Sequence, residues 1–299
     1  MKFVVTGGVG FVGSHLVKLL VNKGHQVTII DNLHKGKKEN LDGVWDKVEF
    51  LKMDIQDFNS MEENMRDIDG VFHQAALTVV QDSFTMPEEY HNVNVRGTEN
   101  IFKIAKKNNF KVVYASSSSV YGHQEKVPIL EDSQKKPINP YGQTKLDDEI
   151  LAEKYSRLGV KIIGLRYFNI FGKGQTIEYA GVITKFLDRI QNGKAPKIFG
   201  SGSQIRDFIH VEDVANANYL AMKSDASSSQ FNIGTGNSIS ILELAKLMIS
   251  ISDLDLEPIM LEALKGDIEK SQSDSSSAEK TFGWKAQKKL EDWLKETMK

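Results

Sequence analysis

The chain has no cysteine, so its 299 residues can build no disulfide scaffold, no thiolate metal site and no thiol nucleophile. It also lacks a charge excess. Thirty-eight Lys and Arg stand against 40 Asp and Glu, a formal net charge of −2, which argues against a protein that coats nucleic acid or an anionic membrane surface. No apolar run approaches the roughly 18 residues needed to span a bilayer. The apolar run in the opening MKFVVTGG is too short for a secretory leader, so a cytoplasmic location is expected. The seven His show neither HxH nor HExxH spacing, and no metal is expected. There is no internal repeat. What is present is an ordinary globular composition, 40% hydrophobic and 26% charged, in a length that suggests about two domains.

Short apolar runs alternate with helical patterns. Strands are expected at Lys2 to Thr6, Val27 to Ile30, Val48 to Met53, Gly70 to His73, Lys111 to Ala115 and Lys161 to Leu165. Helices are expected at Gly10 to Val21, Glu88 to Asn108 and Tyr141 to Leu158. Continuous apolar strands separated by helices imply a parallel sheet covered on both faces. The fold class is therefore α/β, a Rossmann-type doubly wound parallel sheet with a smaller mixed α/β substrate domain. Beyond residue 170 the pattern loosens into glycine-rich pieces, a strand near Asp207 to His210, a helix from Glu212 to Met222 and a strand at Phe231 to Ile233. Amphipathic helices are expected at 240–251 and 288–298, and serine-rich loops at 224–229 and 271–277. Residues 1–170 with about 206–235 are assigned to the first domain, and about 171–205 with 236–299 to the second.

Between the first strand and first helix lies Thr6-Gly7-Gly8-Val9-Gly10-Phe11-Val12-Gly13. Glycines here permit a tight turn and close backbone approach to a pyrophosphate, and the helix N-terminus supplies free N–H groups. Asp31 ends the second strand eighteen residues after Gly13, near the spacing of a carboxylate that holds a ribose diol. A purely structural turn would not need that acid. Asp31 also disfavours a 2′-phosphate, and neither Asn32 nor Leu33 supplies an Arg to bind one, so NAD is expected rather than NADP.

Tyr141 and Lys145 stand four apart on a predicted helix and share a face. Tyr219 and Lys223 have the same spacing, so the pair alone says little. Context separates them. Tyr141 follows Pro140 and comes 24 residues after Ser117, in a serine cluster that closes the fifth strand. Ligands of parallel sheets bind at the carboxyl ends of the strands, so Ser117 is delivered to the ligand crevice. Tyr219 has no such neighbour and reads as a packing residue.

The ordered set Thr-Gly-x-x-Gly-x-x-Gly, Asp31, Asp54-Ile55, His73-Gln74-Ala75-Ala76, Asn94, Ser117, Tyr141-x-x-x-Lys145 and Arg166-Tyr167-Phe168-Asn169 resembles the extended short-chain dehydrogenase/reductases, and within them the NAD-dependent nucleotide-sugar epimerase/dehydratase group. KIFGSGSQIRDFIHVED at 197–213 resembles that group's substrate signature. The resemblance implies that Tyr141 is the general base and acid, that Lys145 supports it and holds the nicotinamide ribose, and that Ser117 shares the substrate proton. It implies that Gly7, Gly10, Phe11, Val12, Gly13, Asp31, Asn32, Leu33, His34, Lys35 and Gly36 hold NAD. Asp54, Ile55, Gln74, Ala75, Ala76, Asn94, Tyr141, Lys145 and Phe168 complete that cofactor set. It implies a UDP-sugar substrate contacted by Ser117, Tyr141, Asn169, Ile198, Phe199, Arg206 and Ser271. A surface ion pair with Asp207 is the alternative for Arg206. Glu212 and Asp213 are expected to cap a helix, and His73 to be a packed, hydrogen-bonded residue.

Dehydratases of the group carry Asp-Glu after the hydroxyl residue, where this chain has Ser118-Ser119. The reductase-epimerases use a Cys, absent here. The resemblance therefore implies reversible oxidation at C4 of a UDP-hexose, epimerising UDP-glucose and UDP-galactose through a 4-keto sugar. Ser271, small where some epimerases place a Tyr, leaves room for the N-acetyl sugars UDP-GlcNAc and UDP-GalNAc. Leu264 and Lys265 precede Gly266-Asp267 where the group usually has Arg two residues before the Gly, which leaves the nucleotide open. The resemblance further implies a homodimer through a four-helix bundle of the 88–108 and 141–158 helices, with Val93, Ile101, Ile104, Ile150 and Leu151 as apolar candidates. A UDP-glucuronate epimerase or decarboxylase, or an NAD-sensing regulator without catalysis, are the rival readings.

Overall fold

The computed structural model describes residues 1–175, 181–264 and 266–299. In chain order the strands are β1 Lys2–Thr6, β2 Gln26–Asp31, β3 Glu49–Lys52, β4 Gly70–His73, β5 Lys111–Ser117, β6 Ile162–Tyr167, β7 Asn169–Phe171, β8 Lys197–Phe199, β9 Ile205–Arg206, β10 Phe208–His210, β11 Ser229–Ile233, β12 Ile239–Ser240, β13 Ile259–Leu261 and β14 Lys270–Ser271. The helices are α1 Phe11–Asn22, α2 Phe58–Asn64, α3 Val80–Thr85, α4 Pro87–Tyr90, α5 Gly97–Asn108, α6 Pro140–Arg157, α7 Val182–Gln191, α8 Val211–Lys223, α9 Ile241–Ser252, α10 Ser276–Phe282 and α11 Leu290–Met298.

Seven strands form one parallel sheet in the order β3-β2-β1-β4-β5-β6-β11. Successive side chains of a strand face opposite sides, and here both sides are apolar. Val5, Phe72, Val113 and Leu165 join a core with α1 and α8. Val4, Val71, Val112 and Ile162 join a second core with α5 and α6. The strand order reverses between β1 and β4, and a crevice opens at that switch point at the carboxyl edge. Among the described residues no helix is long and apolar enough to cross a membrane.

A third apolar cluster joins α7, α9 and α11 to β7, β8 and β10 through Phe171, Phe186, Ile198, Phe208, Leu244 and Leu294. Short strands knit this region: β9 lies between antiparallel β12 and parallel β14, β13 runs beside β8, and β7 beside β10. The α10 region does not stay in it, although α11 does. Ala278 and Trp284 are buried in the first core, and the Trp284 indole donates to the Asp213 carbonyl at 2.9 Å.

Helices α2 and α3 were not expected, and three further differences bear on the site or its surroundings. The helix expected over Glu88 to Asn108 is broken: α4 runs into a π-helical stretch, His91–Arg96, before α5. That widened stretch turns Asn94 inward, where its amide brackets the backbone of Leu77. Helix α7 was not anticipated among the glycines, although Ile183, Phe186, Leu187 and Ile190 follow helical spacing and are buried. Helix α10 begins inside the expected serine loop, because Asp274 Oδ1 takes the Ser276 N–H at 2.8 Å and so starts the turn.

Candidate active site

The turn after β1 is closed to a degree only glycine allows. Gly7 has φ +68°, its N–H donates to the Ile30 carbonyl at 2.8 Å, and the Gly10 N–H returns to the Gly7 carbonyl at 3.0 Å. A Cβ on Gly13 would lie 2.1 Å from the Gly7 oxygen, and one on Gly7 would lie 2.7 Å from the Ala75 nitrogen. Helix α1 is thereby pressed onto the turn, and no side chain caps its N-terminus. The first amides of a helix have no intrahelical partner, so those of Phe11, Val12 and Gly13 face the crevice as an anion cradle.

Asp31 closes β2 beside this cradle. Its Oδ1 accepts the Leu33 N–H at 2.8 Å and its Oδ2 the Val9 N–H at 3.3 Å, while burial pushes its pKa above the usual carboxylate value. Each oxygen retains a lone pair for a diol. Leu33 turns through φ +63° and packs against the first core, so it is not among the residues lining the crevice. Asn32, His34, Lys35 and Gly36 do line it. A Cβ on Gly36 would strike Val9 at 2.6 Å, which holds this loop tight over the turn. Asp54 and Ile55 line the same side, with Asp54 accepting from the Asn32 amide at 2.8 Å.

The end of β4 supplies Gln74, Ala75 and Ala76 to the crevice. Tyr167 donates to Gln74 at 3.1 Å, which orients its amide. Asn94 is fully buried behind this segment and outside the lining, its amide spent on Leu77 and on the Thr144 hydroxyl. It props the loop rather than facing the ligand. His73 is packed as anticipated, between the hydroxyls of Thr6 at 2.7 Å and Thr98 at 2.9 Å.

Ser117, Tyr141 and Lys145 converge on the same crevice of about 650 Å³. Asn139 caps α6 by accepting the Gly142 N–H at 2.7 Å, and Pro140 fills its first turn. The Tyr141 N–H donates to the Ser83 hydroxyl at 3.2 Å, which fixes the entry of the helix. The Ser117 hydroxyl accepts the Ser119 N–H at 3.1 Å. Lys145 is buried and donates to Asp148 at 3.1 Å. Behind them, Arg166 grips Glu149 with two hydrogen bonds of 2.7 and 2.8 Å, and Glu149 accepts the Ser116 hydroxyl at 2.7 Å. The rival pair, Tyr219 and Lys223, lies on α8 away from the crevice. Tyr219 stacks near His25 and beneath Lys23.

Phe168 and Asn169 line the crevice, with the Asn169 N–H held by the Asp207 carbonyl at 3.0 Å. The other expected substrate residues stand farther out. Ile198 is wholly inside the third cluster, whereas Phe199 is 37% exposed. Arg206 is buried and pairs with Asp267, not with Asp207. Asp207 instead accepts hydrogen bonds from Thr235, Gly236 and Ser273. Ser271 is buried on β14 in register with Arg206. Leu264 is exposed, and Lys265 lies outside the described residues. Gly266 approaches the Phe84 ring and Asn139, so the Asp267 segment overhangs the start of α6. Asp213 does not cap α8. Its carboxylate accepts the N–H groups of Gln287 and Lys288, and the imidazole of His210 caps the helix. Glu212 stands in the first turn of α8.

Several lining residues were not singled out from the sequence: Thr78, Glu89, Ile170, Gln175, Val182 and Phe208. Thr78 and Ile170 follow strands β4 and β6, so their position just past a carboxyl end was the available signal. Phe208 lies in the 197–213 stretch that resembles the group's substrate signature, which was its signal, whereas Val182 of the third cluster carried none.

The residues present fit a dinucleotide. A glycine cradle without room for a Cβ faces the uncapped α1 N-terminus, an acid with spare lone pairs stands beside it, and a phenol, a serine hydroxyl and an ammonium close the far end. Together they can hold a pyrophosphate and move a proton on a substrate hydroxyl.

Residues 3–234 match the sequence model described as the NAD dependent epimerase/dehydratase family. The UDP-glucose 4-epimerase of Lactobacillus helveticus is 34% identical over 307 residues, covering 95% of this chain and 92% of that protein. The solved UDP-N-acetylglucosamine 4-epimerase of Methanobrevibacter ruminantium, in complex with UDP-N-acetylmuramic acid, is 37% identical. It superposes with a TM-score of 0.94 over 99% of this chain and 96% of that one. The UDP-glucose 4-epimerase of Thermotoga maritima, solved with UDP-glucose, is 36% identical, with a TM-score of 0.95 over 100% and 97%.

Gly13→Ala forces α1 away from the turn. Isothermal titration should show at least about tenfold weaker NAD binding, the loss of one or more good hydrogen bonds to the pyrophosphate; binding at wild-type strength would contradict the cradle.

Proposed function

We propose, from the premise that the chain belongs to the NAD dependent epimerase/dehydratase family, that it interconverts the C4 epimers of a UDP-hexose, UDP-glucose and UDP-galactose in the first instance. The observation that carries this is the meeting of Ser117, Tyr141 and Lys145 in one crevice with the glycine cradle, followed by hydroxyls at Ser118 and Ser119 rather than carboxylic acids.

When bound, NAD supplies the acceptor and then the donor of the C4 hydride. Gly7, Gly10 and Gly13 with the α1 N-terminus would hold its pyrophosphate, Asp31 a ribose diol, and Lys145 the nicotinamide ribose. The Tyr141 phenolate removes the proton of the sugar 4-hydroxyl and later returns it. The Ser117 hydroxyl hydrogen-bonds the same oxygen and keeps it in line with the phenolate. A base working at neutral pH needs a positive neighbour to favour the phenolate, and Lys145, one turn along α6 in the same crevice, would serve as that neighbour. The planar 4-keto sugar must turn over before reduction, so firm holding belongs to the nucleotide end. Asn169 and Arg206 serve there, Arg206 through the planar fork that suits phosphate. Asp267 then orients the guanidinium until the diphosphate takes its place.

Loss of water from the sugar needs an acid at the leaving hydroxyl, and Ser118 and Ser119 cannot supply one. The same crevice could take UDP-glucuronate, and a panel assay separates that reading. With UDP-glucose, UDP-galactose, their N-acetyl counterparts and UDP-glucuronate, and no added NAD, chromatography should resolve C4 epimers of the neutral sugars and no decarboxylated product. Tyr141→Phe should lower the rate by at least about a hundredfold. A full-length, NAD-loaded protein that leaves every sugar unchanged would support the regulator reading instead.

Ser271 stands outside the crevice lining, so use of N-acetyl sugars is supported by its small side chain in the sequence pattern and by the likeness to an N-acetylglucosamine epimerase. Ser271→Tyr should reduce the rate on UDP-GlcNAc relative to UDP-glucose by at least about tenfold, the scale of a lost methylene-sized space or more. An unchanged ratio would remove the residue from specificity.

Pairing of two copies through α5 and α6 completes this reading. Ile101 and Ile104 are spent in the core and cannot serve, but Ile150 is 58% exposed on the outer side of α6. Sedimentation should give a dimer, and Ile150→Arg a monomer; a monomeric wild type would exclude the bundle.

A further inference from the structure

Helix α6 buries an acid that the reaction above does not use. Asp148 is fully enclosed three residues beyond Lys145, and its Oδ2 accepts from the Lys145 ammonium at 3.1 Å. Its Oδ1 makes no well-aligned hydrogen bond, the Thr98 hydroxyl beside the carboxyl being paired with the His73 imidazole at 2.9 Å. Lys145 at the same time lines the crevice with Tyr141, one turn back on the helix. One ammonium is therefore bonded to a buried carboxyl and lines the same crevice as a phenol one turn back on the helix.

Among the described residues no other free cation offsets Asp148. His73, from β4, is neutral, pushed down to about 3 by burial and by the Lys145 charge. Tyr114, from β5, is held as the neutral phenol by burial and by Glu149 and Asp148. Arg166, from β6, is occupied by the bidentate Glu149. Asp147, the neighbour on α6, adds to the negative field, and the Thr98 hydroxyl gives a little relief. Burial pushes Asp148 up to about 7, against the pull of Lys145. The carboxyl is thus easier to neutralise than an exposed one, and the ion pair with Lys145 is what opposes that.

We propose that Asp148 is a positioning residue that competes with Tyr141 for the charge of Lys145, so that the two acids share one negative charge and the phenolate forms at higher pH than beside an unpaired ammonium. The inference rests on the assignment of Tyr141 as the base. Its physical content is coupling: ionising either acid around a single ammonium disfavours ionising the other. Loading the nucleotide and sugar then has a defined target, since any contact that draws Lys145 toward the crevice weakens its hold on Asp148 and favours the phenolate.

The test is the ultraviolet difference absorbance of tyrosinate against pH, on the NAD-loaded protein without sugar, with Tyr141→Phe as the blank. In the wild type the Tyr141 signal should rise over a broader range than a single-site titration. In Asp148→Asn, which keeps shape and removes the charge, it should sharpen and move about one pH unit lower. The acid limb of kcat should move with it, making the variant about tenfold faster below that limb, with KM for the UDP-sugar unchanged. Asp148→Ser is the second uncharged variant and should behave alike. A sharp single-site curve in the wild type, or coincident curves and limbs in wild type and variants, would overturn the proposal. Activity near the wild-type rate in Tyr141→Phe would overturn the assignment of the base instead.

Discussion

Glu149 joins the two halves of the candidate catalytic group. It lies one turn beyond Lys145 on α6, and it accepts the hydroxyl of Ser116, the residue before Ser117 on β5. Arg166 of β6 completes the joint with two bonds to the same carboxylate, and its remaining nitrogen donates to Tyr121 and to the Glu131 carbonyl. A strand end, a helix and the neighbouring strand are therefore locked at one buried point. Without it, Ser117 and Tyr141 would be tied only through the general packing of α6 on the sheet. A buried ion pair contributes little net stability, because desolvation offsets its attraction, while removing one partner costs about 3–5 kcal/mol. Its value here is registry. The serine and the phenol are held on separate elements whose relative position the fully hydrogen-bonded triad determines.

The same layer of α6 carries two buried acid–base pairs of different character. Glu149 faces a guanidinium that matches both of its oxygens, so its charge is satisfied. Asp148 faces an ammonium that meets one oxygen only. A point charge that also lines the crevice can be drawn between partners, whereas a forked pair cannot without losing two bonds at once. Helix α6 thus presents a fixed joint and an adjustable charge on adjacent residues.

How much of this was legible follows from how local each feature is. The β1 turn, α1 and Asp31 lie within about thirty residues and obey strand, turn and helix chemistry that sequence spacing encodes directly. Ser117, Tyr141 and Lys145 could be brought together because each sits at a strand end or helix start, and parallel sheets deliver those to one edge. The glycine-rich stretch after residue 170 obscured α7, although its buried positions at 183, 186, 187 and 190 keep the helical period. The π-helical break at His91–Arg96 left no mark on the apolar pattern, because what it serves is the polar side chain of Asn94. Arg206 was recognisable, but its partner Asp267 was not. That pair joins β9, a strand of two residues and too short for periodicity to register, to the segment just before β14.

The outer wall of the crevice makes the nucleotide end and the sheet edge parts of one mechanical system. After β6 the chain leaves the sheet at Phe168, whose N–H still holds the Ile233 carbonyl of β11, and then pairs as β7 with β10. Asn169 meets Asp207 at that crossing, and Asp207 in turn gathers Thr235, Gly236 and Ser273. Phe208, Val182 and Ile183 then bring the third apolar cluster against the crevice. Arg206 lies on β9, one residue before Asp207, so a ligand held by it as proposed would bear on this knot. The crevice is thus bounded by elements that belong to two different cores. Such a division can be rigid at the cradle and yielding at the opposite wall, as the proposed turnover of a sugar within one site requires.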